Sequence, residues 1–210
     1  MTLQDALIVI GAYLIGSIPF SHLIAWSKAG VRLREVGEGN VGARNVWHVV
    51  GPTWGALAGA LDWLKGLGAL GLARILSASS GVMLLTGFAV VLGHQFPVFL
   101  RGQGGKGVAT SLGFLTGLLP RSSLVGLLVF ALTQLLLRDF NRSVTVGVAA
   151  VILLPPFFGY SPWMVVYALA IFLWLAVKKA IDLPHEREVW ARSGWKGDAR
   201  PGWYREDKAK

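Results

Sequence analysis

The chain has 210 residues, of which 54% are hydrophobic and only 15% charged, and its mean hydropathy is +0.57. A soluble domain carries nearer a quarter charged residues, so this composition excludes an ordinary soluble fold. The absence of cysteine excludes disulfides, thiolate metal sites and a cysteine nucleophile, and the net charge of +9 lies in loops beside apolar runs, which points to anionic headgroups or substrates rather than nucleic acid.

Seven apolar runs read as transmembrane helices, at roughly 3–26, 53–74, 81–100, 107–120, 122–138, 143–160 and 162–178. The predicted fold is an all-α integral membrane protein. The first run has no basic flank or cleavage site of a signal peptide and reads as a retained span. The fourth is short. Its 14 residues rise about 21 Å against a hydrocarbon core of about 30 Å, so its helix starts below the surface or the preceding loop dips inward.

Basic residues set the predicted orientation. Lys28, Arg32, Arg34 and Arg44, then Arg101 and Lys106, then Arg138 and Arg142, and nine more from Lys178 onward fall on one side. Arg74 and Arg121 fall on the other, and Lys65 lies within a span. The positive-inside bias places the N-terminus outside and the C-terminus in the cytosol. The chain divides into a membrane domain at 1–181 and a basic tail at 182–210, whose Trp190, Trp195 and Trp203 read as interfacial anchors.

In chain order, Gly16-Ser-Ile-Pro-Phe-Ser-His22 comes first, with Pro19 expected to kink the first span. The following loop, Arg34 to Gly51, alternates glycines with Glu38, Asn40, Arg44, Asn45 and His48. It reads either as a solvated basic loop or as an anion site in which Arg44 forks a phosphate. Asp62 and Lys65 share one helix face inside the second span, as a structural ion pair or as part of a polar pocket.

The segment Gly93 to Gly113 centres on Gly104-Gly105-Lys106-Gly107, followed by Thr110 and Ser111 on a helix. Consecutive glycines let backbone N–H groups converge on an anion, the helix start adds donors, and Lys106 adds a charge. It is not a Walker A loop. A tight turn with a snorkelling lysine also fits, but the flanking Gly-His and hydroxyls favour a phosphate cradle. Arg142 and Thr145, at the start of the sixth span, fit an anion or simple flanking charge. His185-Glu-Arg-Glu188 reads by default as solvated surface. The loops at 34–51, 101–107 and 138–145 and the tail at His185 all fall on the predicted cytosolic side, so one site for phosphate groups accounts for them together.

These motifs, in this order from about residue 8 to 180, resemble the PlsY family of bacterial acyltransferases, which use acyl phosphate. The resemblance rests on Gly16-Ser-Ile-Pro, the Gly-x-Gly-Asn-x-Gly-Ala-x-Asn-Val run at 37–46, Leu-Asp-x-x-Lys-Gly at 61–66, and Gly-His-x-Phe-Pro-Val-Phe-Leu with Gly-Gly-Lys-Gly-Val-Ala-Thr at 93–110. It implies acyl transfer from acyl phosphate to the 1-hydroxyl of glycerol 3-phosphate, giving lysophosphatidic acid, in the bacterial cytoplasmic membrane and without metal or cofactor. It implies a catalytic set of Lys106, His185 and Asn45. Substrate-binding residues would be Gly104, Gly105, Gly107, Thr110 and Ser111 for the donor, with Gly39, Asn40, Arg44, His48, Arg142 and Thr145 around the acceptor.

The chain departs from the family pattern at the acceptor motif. Glu38 stands for a usual Ser, Arg44 for Thr, His48 for Arg, Glu188 for Asn, and Thr145 for Ser. Glu38 and Glu188 are therefore expected to put negative charge where a dianionic acceptor binds. A same-fold acyltransferase with a less anionic acceptor, and a non-catalytic membrane protein that binds an anionic lipid or phosphate, stand as the alternatives.

Overall fold

A computed structural model describes residues 1–193 and 195, and among these the secondary structure is helical throughout. Helix α1 (Leu3–Ser17) starts on a capping box: Thr2 Oγ1 accepts from the Asp5 N–H, and Asp5 Oδ2 accepts from the Thr2 N–H. It stops at Ile18-Pro19, and α2 (Phe20–Ala29) begins on the far side. The expected kink at Pro19 is thus a complete interruption of the helix. The ring removes an N–H donor, and Lys65 Nζ donates to the stranded Ile18 carbonyl at 3.0 Å.

The stretch 34–51, expected to be loop throughout, contains a two-turn helix, α3 (Ala43–Val49). Next come α4 (Pro52–Ile75) and α5 (Ser80–Gln95), followed by a 3-10 turn at Val98–Leu100 and the glycine segment. Then α6 (Val108–Leu118), α7 (Pro120–Leu137) and α8 (Phe140–Leu153) lead to α9 (Trp163–Ser193).

Among the described residues, five stretches are long and apolar enough to cross a membrane: Leu3–Ala29, Pro52–Ile75, Ser80–Leu100, Pro120–Leu137 and Trp163–Ser193. Helices α6 and α8 are shorter, at 11 and 14 residues. The apolar run expected to continue to residue 160 leaves the α-helix at Leu153 and passes into a 3-10 turn at Pro155–Phe158, where successive prolines cannot continue the ladder.

Close backbone approach holds the spans together. A Cβ on Gly16 would meet the Val90 carbonyl, and one on Gly66 would meet the Thr110 carbonyl, so α1 packs on α5 and α4 on α6 at distances only glycine permits. The core between them holds Leu70, Phe114, Leu115, Leu119 and Ile171, all fully enclosed. Tyr167 reaches into it and donates its O–H to the Leu84 carbonyl at 2.8 Å. By contrast α7 exposes Leu124, Leu127, Leu128, Leu132 and Leu135, as a lipid-facing helix does.

Helix α9 runs through the expected domain boundary at 181/182 without a break, although Pro184 lies inside it. Residues Asp182, Glu186 and Val189 are buried, so the first part of the expected tail is packed into the membrane domain. Trp190 donates Nε1–H to the Glu38 carbonyl at 3.0 Å, and the Trp195 ring meets His48 edge-on at 4.9 Å between centroids. Both are engaged by the protein itself. Trp203 lies outside the described residues.

Candidate active site

The loop before α3 is built around Asn45, which is fully buried. Its Nδ2 donates to the carbonyls of Leu33, Val36 and Asn40 at 2.9, 3.0 and 2.9 Å, and its Oδ1 accepts from the Glu38 N–H at 3.0 Å. Every polar atom of Asn45 is thereby committed to folding the loop. It positions Glu38 and Asn40 rather than presenting its amide to a ligand. Gly39 adopts φ +71°, and a Cβ there would stand 3.1 Å from Val189 and 3.3 Å from the Glu186 Cα. Glycine at this position lets the loop lie directly on α9.

Glu38 is buried, and its Oε1 lies 3.3 Å from Arg44 Nε and 3.5 Å from His48 Nε2. Burial pushes its carboxyl above the ordinary range, opposed by the Arg44 and Lys106 charges and reinforced by Glu186. Three of the departures from the family pattern are thus one compensated unit. The negative charge added at Glu38 meets the positive charge added at Arg44. Arg44 also donates Nη1–H to Asn141 Oδ1 at 3.1 Å, which ties the loop to the start of α8.

The glycine segment differs from its sequence-based reading. The Gly104 N–H donates to the Gln95 carbonyl at 3.1 Å and the Gly105 N–H to the His94 carbonyl at 3.2 Å. These amides close a tight turn against the end of α5 and do not converge on an anion. Glycine is needed there for close approach, because a Cβ on Gly105 would strike His94 Nε2 and the Val41 carbonyl. Thr110 and Ser111 are fully enclosed. The Thr110 hydroxyl lies 3.2 Å from His94 Nδ1, and Ser111 donates to the Gly107 carbonyl at 2.9 Å. Neither hydroxyl faces outward, so the expected cradle is corrected on this point too. What faces outward is Lys106, with Gly107 (φ +90°) beside it leading into α6, whose N-terminus carries no side-chain cap. The first-turn amides of a helix have no intrahelical acceptor and favour an anion.

Two residues that sequence reasoning missed hold Lys106 in place. Gln95, fully buried, donates Nε2–H to the Lys106 carbonyl at 2.8 Å and accepts from Trp174 Nε1 at 2.7 Å. Glu186 places Oε1 2.8 Å from Lys106 Nζ, with its side chain only 1% exposed. Periodicity explains why Glu186 and not Glu188 lies here. At about 100° per residue, Glu186 and Val189 fall within roughly 40° of Asp182, whereas Glu188 is turned away by roughly 120°. Glu188 is exposed and pairs with Arg192 at 3.6 Å, so the expectation that it opposes the acceptor is overturned.

His185 sits at the edge of the same face and donates Nε2–H to the Arg34 carbonyl at 2.9 Å. A carbonyl can only accept, so the proton is on Nε2. One turn back, Asp182 pairs with Lys178 and stands 4.0 Å from Arg34 Nη2.

Beneath the glycine turn lies a second polar cluster, inside the membrane domain. Asp62 Oδ1 is 2.8 Å from Lys65 Nζ and 3.5 Å from His94 Nδ1, and Asp62 Oδ2 accepts from Ser21 Oγ at 2.9 Å. All four are buried. The cluster joins α2, α4 and α5 under the turn that carries Lys106. This supports the structural reading of the Asp62–Lys65 pair.

Arg142 and Thr145 are not brought to the site. Arg142 is 75% exposed and pairs with Asp139 at 3.4 Å, and Thr145 is exposed with its hydroxyl bonded back to the Asn141 carbonyl. Asn141 is the residue of that segment that reaches Arg44. Its signal was its place in an Asp-Phe-Asn-Arg helix start, where polar side chains crowd and only geometry decides which one turns inward.

The arrangement can hold anions at the mouth of an apolar bundle, and its similarities agree. Residues 6–183 match the glycerol-3-phosphate acyltransferase family. A protein of Desulforamulus reducens named glycerol-3-phosphate acyltransferase is 39% identical over 145 residues, covering 69% of this chain and 72% of that one. The crystal structure of PlsY, an integral membrane glycerol 3-phosphate acyltransferase, in its glycerol 3-phosphate form superposes with a TM-score of 0.76 at 36% identity, over 92% of this chain and 96% of that one. Its lysophosphatidic acid form gives 0.73 at 33%, over 90% and 93%. Sequence and fold agree along nearly the whole membrane domain, and the chain belongs to the glycerol-3-phosphate acyltransferase family.

Proposed function

We propose that this chain transfers a fatty acyl group from acyl phosphate to the 1-hydroxyl of glycerol 3-phosphate, at the cytosolic face of a seven-span domain in the bacterial cytoplasmic membrane. The observation that carries this reading is that Arg44 and His48 meet the Glu38 carboxylate, Lys106 meets that of Glu186, and each of these two carboxylates feels the other, where the loop before α3, the glycine turn and α9 come together. The predicted topology and the family resemblance both imply such a patch, and the ion pairs of these residues support it.

In this reading Lys106 and the α6 N-terminus hold the donor phosphate. Arg44 and His48 hold the acceptor phosphate, with His185 beside them and fixed by its bond to Arg34, while the buried Asn40 Oδ1, which has no hydrogen-bond partner among the described residues, is available to accept from an acceptor hydroxyl. The glycerol oxygen attacks the acyl carbonyl, the new ester C–O bond forms, and the acyl-to-phosphate C–O bond breaks. The departing phosphate takes the hydroxyl proton. Acyl phosphate is already activated, so the protein's task is to align two anions and stabilise developing charge. The exposed apolar helices beside the patch suit an acyl chain. No nucleic acid, metal or cofactor enters this scheme.

The altered acceptor motif fits glycerol 3-phosphate better than its sequence suggested. Glu38 is matched by Arg44 and His48, and Glu188 points away. The test is phosphate release from acyl phosphate by the purified protein in detergent. Release should require glycerol 3-phosphate and vanish in Lys106→Ala. Release that ignores glycerol 3-phosphate, or that survives Lys106→Ala, overturns the assignment.

A further inference from the structure

Both strong cations of the patch are already paired within the protein. Lys106 meets Glu186 at 2.8 Å, and Arg44 meets Glu38 at 3.3 Å. The two carboxylates are buried, at 1% and 5% exposure, and the four charges sum to zero. An oxygen of each carboxylate is enclosed without a well-directed hydrogen bond among the described residues: Glu38 Oε1 and Glu186 Oε1. A phosphate reaching Lys106 therefore does not find an open cation. It finds one whose nearest position is occupied by a carboxylate oxygen, the same kind of atom a phosphate would place there.

From this geometry we infer that Glu186 is the resident counterion of Lys106, displaced when a phosphate binds and returning to help expel phosphate after transfer. The inference rests on the reading that Lys106 holds a phosphate. It assigns to this chain a device that weakens ground-state anion binding. Lys106 is 22% exposed and carries a long side chain that can be reached from outside and drawn away, whereas Glu186 stands on the buried face of α9 that also carries Asp182 and Val189. The groups facing Glu186 are Lys106 from the glycine turn and Glu38 from the loop before α3, and Glu38 in turn meets Arg44 and His48. Binding is thus an exchange of one anion for another at Lys106. Deleting the competing charge should tighten phosphate binding rather than loosen it, which is the reverse of what removing a merely structural ion pair does.

The experiment measures inorganic phosphate affinity by calorimetry, and phosphate inhibition of acyl transfer, on the full chain in detergent. Glu186→Gln should bind phosphate roughly tenfold more tightly than the parent and be inhibited at correspondingly lower phosphate, as expected for loss of one like charge near contact. Lys106→Ala should lose the binding. Glu186→Asp, which keeps the charge but withdraws it by one methylene, should fall between parent and Gln, and it serves as the measure if Gln impairs folding. Unchanged or weaker phosphate binding in Glu186→Gln or Glu186→Asp, with loss in Lys106→Ala, overturns the counterion role alone. Parent-like binding in Lys106→Ala overturns the underlying reading of Lys106.

Discussion

Arg44 Nε stands 3.3 Å from Glu38 Oε1, which joins two departures from the family pattern into one ion pair. Glu38 is buried and Arg44 about a quarter exposed, so removing the cation leaves a carboxylate that cannot be solvated in place. Arg44→Ala should raise the KM for glycerol 3-phosphate by roughly tenfold or more, because the uncompensated Glu38 then repels the acceptor. Adding Glu38→Gln to Arg44→Ala should recover part of that loss. The coupling between the two substitutions should be about 1–2 kcal/mol in a double-mutant cycle on kcat/KM, and additive effects would show that the pair is not functional.

Glu38 also makes stability depend on pH. Burial raises its carboxyl above the ordinary value in the folded protein, with Arg44, His48, Lys106 and Glu186 facing it. The folded state therefore binds more protons than the unfolded one between the ordinary and the raised value. This contribution to stability is complete below the ordinary glutamate range and is lost as pH rises through the folded value. Glu38→Gln, neutral at every pH, should flatten the slope of thermal stability against pH above the ordinary glutamate value relative to the parent. An unchanged slope would place the titration elsewhere.

Five of the seven expected spans were legible because apolar length is a one-dimensional property, and the brevity of the fourth was visible in its residue count. Two features were not legible, for a common reason. Helix α3 carries Arg, Asn and His and has no side-chain cap, so nothing local marks it. It forms because Asn45 is clamped by three carbonyls and because α4 lies against it, where a Cβ on Gly55 would strike the Trp47 backbone. Likewise α9 contains Pro184 and a run of charges, which read as the end of a span and a solvated tail. The helix persists because Asp182 and Glu186 are pinned on either side of the proline by Arg34 and Lys106. Glu186 then becomes buried, which no local pattern announces. The glycine turn was found by composition, but its amides were misassigned, since partners for backbone N–H groups depend on which strand of chain lies opposite.

The short helix α6 bears on topology. Its 11 residues rise only about 16 Å, yet seven crossings require Gln103 and Arg121 to lie on opposite faces of the membrane. Both residues are exposed, and the chain has no native cysteine to remove. A membrane-impermeant maleimide should label Arg121→Cys in intact spheroplasts and Gln103→Cys only in inverted vesicles. Labelling of both from one side would make α6 a re-entrant segment and reduce the number of crossings.

The buried cluster under the glycine turn should separate pairing from charge as such. Asp62 lies 2.8 Å from Lys65, and the two side chains are 2% and 3% exposed. Breaking a buried pair from one side leaves an uncompensated ion and costs about 3–5 kcal/mol, whereas replacing both partners with apolar groups of similar volume is often nearly neutral. Asp62→Ala should therefore lower the melting temperature in detergent far more than Asp62→Leu combined with Lys65→Met. The double variant carries a second consequence, because Lys65 also caps the Ile18 carbonyl at the break between α1 and α2 and Asp62 contacts His94 beneath Gly105. It should retain most of its stability while losing acyl transfer, since His94, which packs under Gly105 in the turn that carries Lys106, then loses its Asp62 partner. Full activity in the stable double variant would show that the cluster serves folding only.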